Sequence, residues 1–250
     1  MNEKDRLFAT EPFPPGSFVF DDRVVRVFPD MINRSVPGYG LMLQMIGLMA
    51  RRYAQDDRRI FDLGCSLGAA TLAMHSVVRA ANVRFVAVDN SAAMMQQLRT
   101  RLEEDQQRAP EGQSDSPIEL RHEDICLTEI NHASVTVLNL TLQFVDPARR
   151  AELLGRIGAG TLPGGILLLT EKIRFEDPAE QDIQTELYHD FKRAQGYSEL
   201  EIAEKRNALE RVLQPDSDAK HRQRLLESGW VQSMRWFQAF NFVSYIAFRP

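Results

Sequence analysis

Cysteine is nearly absent from this chain, which has 250 residues and only Cys65 and Cys126. They lie in different segments and form no C-x-x-C, which excludes a disulfide framework, disfavours a zinc site and fits a reducing compartment. Histidine gives no metal pattern either. His75, His122, His132, His189 and His221 are scattered, none close to another His or Cys, so no metal is expected. No apolar run approaches the ~20 residues that span a bilayer. The start, Met1-Asn2-Glu3-Lys4-Asp5-Arg6, carries no apolar signal region. A cytoplasmic location with no membrane partner is the expectation. Charge of one sign is not in large excess: 30 Lys and Arg face 35 Asp and Glu, a net −5 that gives no general reason to bind nucleic acid directly. There is no internal repeat and no low-complexity segment.

What is present reads as an ordinary globular chain, 44% hydrophobic and 26% charged. Its length fits one α/β domain with an extension, or two small domains. Residues 1–20 are irregular, with Pro12, Pro14 and Pro15 against early helix. A short helix follows from Asp21 to Ile32, broken at Pro29. Arg34-Ser35-Val36-Pro37-Gly38-Tyr39 is a turn, and Leu41–Tyr53 an amphipathic helix whose Met-rich stripe reads as core.

Strands and helices then alternate. The expected strands are Arg59–Leu63, Arg84–Val88, Ile118–His122, Ser134–Leu140 and Ile166–Thr170, the last entered by a Pro163-Gly164-Gly165 turn. The expected helices run from the first strand to about Ala80, onward from a Ser91 N-cap, and over Pro147–Ile157. Polar residues 105–117 read as a surface loop. This order predicts a mostly parallel doubly wound sheet. Residues 177–213 read as a helical insertion, His221–Ser228 as a helix, and Trp230–Phe240 with Asn241–Arg249 as a hairpin forming an antiparallel edge. The expected organisation is one domain over 1–250, with a helical and irregular extension over 1–55.

The centre of the pattern is Asp62-Leu63-Gly64-Cys65-Ser66-Leu67-Gly68-Ala69-Ala70-Thr71. It has the layout of a first strand, a glycine turn and a helix N-terminus, where backbone can approach a ligand. No Lys-Ser/Thr pair closes it, so it is no Walker loop, and its glycines are not placed as G-x-G-x-x-G. An adenosyl sulfonium, which carries no phosphate, suits it better than NAD. Ligands of open α/β sheets sit at the carboxyl ends of the strands. That puts Gly64, Cys65 and Ser66, then Asp89 and Asn90, then Asp124 and Ile125, then Asn139 at one site. Asp89 is placed to accept from ribose hydroxyls and Asp124 from an adenine amine. Cys65 reads as structural rather than nucleophilic. After the fourth strand, Asn139-Leu140-Thr141-Leu142-Gln143-Phe144 lacks the Asn/Asp-Pro-Pro-Tyr run of amine methylation. On the residues alone Arg206 is a solvated helix charge, and Tyr39 is open between core and site.

Asp-x-Gly-x-x-x-Gly resembles the loop of S-adenosylmethionine-dependent methyltransferases. Together with Arg34–Tyr39, Asp89-Asn90-Ser91, Asn139–Phe144, Thr170-Glu171-Lys172 and Asp190-Phe191-Lys192-Arg193-Ala194-Gln195-Gly196-Tyr197-Ser198, it resembles carboxy-S-adenosylmethionine synthases from about Phe8 to Phe248. The departures are a longer, more polar 105–117 loop and Gln195 in place of Asn. The resemblance implies a Rossmann-like methyltransferase fold and a homodimer, with the 177–213 helices as candidate interface. It implies S-adenosylmethionine as substrate with Tyr39, Gly64, Cys65, Ser66, Asp89, Asn90, Asp124, Ile125, Asn139 and Arg206 as its binding residues. Arg206 would hold a new carboxylate. The implied reaction converts S-adenosylmethionine and prephenate to carboxy-S-adenosylmethionine and phenylpyruvate, with no protein base. Its product would serve a tRNA carboxymethyltransferase acting on the wobble uridine. Arg34, Lys172, Lys192 and Arg193 are unranked candidates for holding dianionic prephenate. The competing readings are an ordinary methyltransferase on a small molecule or RNA, and a cofactor-binding regulatory module without chemistry.

Overall fold

The computed structural model describes residues 4–9, 14–108 and 116–250. Its centre is a seven-stranded sheet: β1 (Arg59–Leu63), β2 (Arg84–Asp89), β3 (Ile118–His122), β4 (Ala133–Asn139), β5 (Thr161–Lys172), β6 (Gln232–Ala239) and β7 (Phe242–Phe248). The order is β3-β2-β1-β4-β5-β7-β6. β1 to β5 are parallel, and β7 runs antiparallel to both β5 and β6. The expected doubly wound sheet with an antiparallel edge is therefore present.

The inner strands are largely apolar because both sheet faces are covered there, while the edge strands β3 and β6 are more polar and only partly buried. Side chains of a strand point alternately to the two faces, and the core divides accordingly. Phe61, Leu63, Val86, Val88, Leu167 and Leu169 pack with Leu153, Leu154 and Ile157 of α5 (Arg150–Gly160). Ile60, Phe85, Val135, Val137, Ile166 and Leu168 pack on the other face with Ile46 and Ala50 of α2 (Tyr39–Tyr53) and Ala70 and Met74 of α3 (Ala69–His75). The crossover order reverses between β1 and β4. There the loops after those two strands part and leave a crevice at the carboxyl ends.

Several expected boundaries shift. Pro29 does not break the first helix: α1 runs unbroken from Asp22 to Ser35, with Asp21 as N-cap. Pro29 removes one N–H from the helix ladder. Burial of Val24, Val27 and Met31 along one face outweighs that local loss. Arg34 and Ser35 thus belong to the helix, and the turn shortens to the residues before Tyr39. α3 stops at His75, well short of Ala80, because the chain tightens there through a Val77 N–H to Met74 carbonyl bond. β4 and α5 sit at 133–139 and 150–160, where 134–140 and 147–157 were expected. Pro163-Gly164-Gly165 does not precede β5 but lies within it. There the β4–β5 register slips and Gly164 takes φ 76°. α4 (Ala92–Arg108) extends into the expected 105–117 loop, whose residues 109–115 lie outside the described ones. The Met-rich stripe of α2 is core only in part. Met42 and Ile46 are fully buried, while Leu41 and Leu48 are about half exposed at 51% each.

The 177–213 stretch is helical as expected, with α6 (Pro178–Ala194) and α7 (Glu199–Leu209). The last helix, α8 (Asp218–Glu227), begins three residues before the expected His221. α6 and α7 are fastened to the N-terminal extension. Tyr188 Oη donates to the Ser35 carbonyl at 2.9 Å, Lys205 Nζ donates to Ser35 Oγ at 2.7 Å, and Tyr197 Oη donates to Asp5 Oδ2 at 2.6 Å. These buried bonds bring the two expected appendages together over the sheet's carboxyl edge.

Candidate active site

The β1–α3 loop owes its shape to three left-handed positions in five residues: Gly64 at φ 80°, Ser66 at 50° and Gly68 at 74°. A Cβ on Gly64 would run into the side chain of Thr141 from the next crevice loop. Glycine is therefore required there for conformation and for close approach. The Gly64 and Cys65 amides both donate to the Val88 carbonyl, at 2.8 and 2.9 Å, which pins the loop to the end of β2. Two carboxylates complete the frame. Asp62 accepts from the Thr71 amide at 2.9 Å and Thr71 Oγ1 at 2.6 Å, bracing the strand against the first turn of α3. Burial, with Asp89 adding repulsion and the Thr71 bonds opposing, pushes the Asp62 pKa up to about 6. Asp89 accepts from the Ser66 amide at 2.8 Å through one oxygen and from the Ser91 amide at 2.8 Å through the other. A carboxylate has about four acceptor positions, so each oxygen keeps capacity toward the crevice.

The third acid, Asp124, accepts from the Cys126 amide at 2.8 Å and from Arg149 Nη1 at 3.1 Å. Burial pushes its pKa up, but those two partners reverse the effect and leave it below the ordinary value. Asn139, at the end of β4, has a buried Oδ1 with no partner among the described residues. A buried orphan acceptor carries an energetic penalty unless a ligand satisfies it. Cys65 is buried against Met95, and burial, with Asp62 and Asp89, raises its pKa well above the ordinary thiol value. It is a protonated wall of the loop and not a thiolate.

One cavity of ≈ 930 Å³ joins these groups. All ten residues expected at the ligand line it: Tyr39, Gly64, Cys65, Ser66, Asp89, Asn90, Asp124, Ile125, Asn139 and Arg206. Tyr39 enters from the first turn of α2 as a neutral phenol, its pKa raised by burial and by Asp62. Arg206 enters from the last turn of α7 and is exposed. At the α6–α7 end the cavity is cationic, with Lys172, Lys192 and Lys205 on its wall. Two of the four expected anion-binding residues are not there. The Arg34 guanidinium pairs with Asp30 at 3.2 Å, donates to the Gln195 carbonyl at 2.8 Å and stacks on Tyr197 at 4.0 Å. Arg193 is paired outside with Asp190 and Glu199. Arg34 is held in part by Gln195 and Tyr197, far along the chain, whereas the partners of Arg193 lie close to it in sequence. Lys205, Tyr188, His189 and Arg149 also line the cavity, and sequence reasoning passed over them. Lys205 had one available signal, its place beside Arg206 on a helix that crosses the crevice.

The fold and the loop geometry together define an S-adenosylmethionine-dependent methyltransferase fold. Solved structures agree. Human N-acetylserotonin methyltransferase in complex with S-adenosylmethionine matches with a TM-score of 0.57 at 14% identity, over 92% of this chain and 55% of that one. An O-methyltransferase family protein from Burkholderia thailandensis matches with a TM-score of 0.61 at 16% identity, over 92% of this chain and 61% of that one. At such identities the likeness concerns the fold alone. No protein-family model matches the chain. Among curated proteins, the carboxy-S-adenosyl-L-methionine synthase of Marinobacter nauticus is 53% identical over 245 residues, 98% of this chain and 95% of that protein. The synthase of the same name from Aeromonas salmonicida is 51% identical over 249 residues, 100% of this chain and 98% of that protein. The chain belongs to the carboxy-S-adenosyl-L-methionine synthase family, and it is an enzyme.

Proposed function

We propose that this enzyme converts S-adenosyl-L-methionine and prephenate to carboxy-S-adenosyl-L-methionine and phenylpyruvate. The observation that carries the reading is the polarity of this cavity, with acids and an orphan amide oxygen at the loop end and cations at the other. The loop end suits an adenosyl group. Asp89 takes the ribose hydroxyls, Asp124 and the Ile125 backbone take the adenine edge, and Asn139 Oδ1 finds its missing donor. Gly64, Cys65 and Ser66 supply backbone to the methionine portion, Asn90 flanks the ribose, and Tyr39 offers its hydroxyl from above. The cationic end suits a dianion.

In the proposed reaction prephenate aromatises, losing its ring carboxylate as carbon dioxide and its ring hydroxyl as hydroxide. The sulfonium methyl gives a proton to that hydroxide, forming water and an ylide. The ylide carbon bonds to carbon dioxide, and the product is a carboxymethyl sulfonium. Atoms balance without a protein base. The buried acids are already committed: Asp62 to Thr71, and Glu171 to the Leu142 and Gln143 amides at 2.8 Å each. The protein therefore acts by positioning the two substrates and excluding water. Arg206 meets the new carboxylate, a task that a permanently charged bidentate guanidinium performs well.

An ordinary methyltransferase would need an acceptor, and prephenate would be inert to it. Incubation with S-adenosylmethionine and prephenate alone separates the two: phenylpyruvate and a carboxylated sulfonium support the synthase, and unchanged substrates refute it. A regulatory module without chemistry would turn over nothing. We further propose that the enzyme is a cytoplasmic homodimer that binds no nucleic acid itself and passes its product to a tRNA carboxymethyltransferase. Residues 1–250 then act as one unit, with 1–55 and 177–213 closing the site. Ile183 and Leu187 of α6 and Leu200 of α7 are exposed apolar groups that suit a subunit contact. A monomer mass in solution at micromolar concentration would overturn the dimer.

A further inference from the structure

Lys172, Lys192 and Lys205 come from three separate elements, the end of β5, α6 and α7, and converge on one wall of the cavity. Tyr188 is the hub. The Lys192 ammonium lies 4.5 Å from the centre of its ring and the Lys172 ammonium 5.1 Å. Its hydroxyl donates to the Ser35 carbonyl, whose residue also receives Lys205 Nζ through Oγ. Lys192 and Lys205 are buried, at 6% and 7% exposure. Among the described residues no carboxylate lies within ion-pair distance of any of the three. The nearest acids in effect are Asp5 and Asp30, and they act on Lys205 alone. Lys192 feels only burial and the like charges of Lys205, Lys172 and Arg206, all of which lower its pKa.

A folded chain rarely leaves several ammonium groups out of water without counter-ions, because the desolvation penalty goes uncompensated. The ring face of Tyr188 offsets part of it by cation–π attraction, and nothing on the wall neutralises the rest. We infer that Lys172, Lys192 and Lys205 form the seat for a small dicarboxylate, which supplies the missing negative charge and which, on the reading proposed above, is prephenate. Arg34 and Arg193 take no part, since their guanidinium groups are satisfied elsewhere. The seat is distinct from Arg206, which faces the product carboxylate. It binds a substrate that arrives charged and leaves as a monoanion, so release follows from the loss of one of its two charges.

The test uses the whole protein as Lys172→Met and Lys192→Met, with prephenate as probe and two readouts. If the wild type makes carboxylated product, both variants raise the KM for prephenate by about tenfold to a hundredfold, the loss of one charge-assisted bond. The KM for S-adenosylmethionine then stays within about twofold, because uniform binding of the other substrate is untouched. An unchanged prephenate KM in both variants overturns the seat. If the wild type makes no carboxylated product, the proposed reaction falls, and the seat is judged on the melting midpoint alone. Malonate or prephenate raising the wild-type midpoint but not those of the variants supports it. Equal responses, or no response in the wild type, overturn it. Removing an uncompensated charge leaves no new unpaired group, so both variants are expected to fold.

Discussion

Replacing Lys172 with methionine should stabilise the ligand-free protein, and the gain should vanish as pH rises. The ordinary lysine value is 10.5, and burial alone brings Lys172 down to about 8. At about 1.4 kcal/mol per pH unit, that is a ceiling of ~3 kcal/mol against the charged folded form. Lys172 is only half-buried, and solvent screening reduces the expected figure to about 1–3 kcal/mol. The direction follows from proton counts. Below pH 8 the lysine is charged in both states, so the folded wild type carries the whole penalty. Between 8 and 10.5 the folded lysine gives up its proton while the unfolded one keeps it, and stability rises with pH. Above 10.5 both states are neutral and the penalty is gone. Lys172→Met should therefore exceed the wild type by about 1–3 kcal/mol at pH 7, with the difference shrinking through the 8–10.5 window. The Lys172 charge also lowers the pKa values of Lys192 and Lys205, so its removal relaxes both and adds in the same direction. Urea denaturation at several pH values, with nothing bound, measures this. A variant less stable at pH 7, or a difference that does not change with pH, would refute the claim that Lys172 is an uncompensated charge.

Three further outcomes follow from the same geometry. Gly64→Ala places a Cβ against Thr141 at φ 80°, and left-handed strain with overpacking should lower stability by about 2–5 kcal/mol; it should also weaken S-adenosylmethionine binding in calorimetry, and unaltered affinity would show that the loop tolerates a side chain. Burial pushes the Glu171 pKa from 4.5 up to about 8 against the bonds from Leu142 and Gln143, so the folded state holds a proton that the unfolded state loses, and wild-type stability should fall as pH climbs from about 4.5 to 8. Glu171→Gln should flatten that slope in denaturation curves, and an unchanged slope would remove Glu171 as its cause. Arg206→Ala should keep S-adenosylmethionine binding while losing most carboxylated product, and product formation at the wild-type rate would take Arg206 out of the site.

The inner strands were readable because they are largely buried on both faces and therefore mostly apolar, as in Phe85–Val88 and in Ile60–Leu63, which Asp62 alone interrupts. Every residue placed at a strand's carboxyl end reaches the cavity, since topology alone fixes those positions. The helix limits were less readable, because tertiary burial overrides local signals. Pro29 is carried within α1 by the apolar face around it, and Pro163 to Gly165 are absorbed into β5, where the Gly164 amide and the Gly165 carbonyl both bond to the Arg249 backbone. Charges were the least readable. Arg34 and Lys192 look alike in sequence, yet one meets Asp30 and a carbonyl while the other meets only a tyrosine ring and more lysines. Which cation is left without a partner is decided by the packing of α6 and α7 on the N-terminal extension, 150 residues and more away in the chain.

The most direct test of the central claim is to denature the purified protein and weigh the small molecule it releases. A carboxy-S-adenosyl-L-methionine synthase should release a sulfonium heavier than S-adenosylmethionine by the mass of one carbon dioxide. Recovery of only S-adenosylmethionine or S-adenosylhomocysteine, with prephenate unconsumed when supplied, would contradict the account.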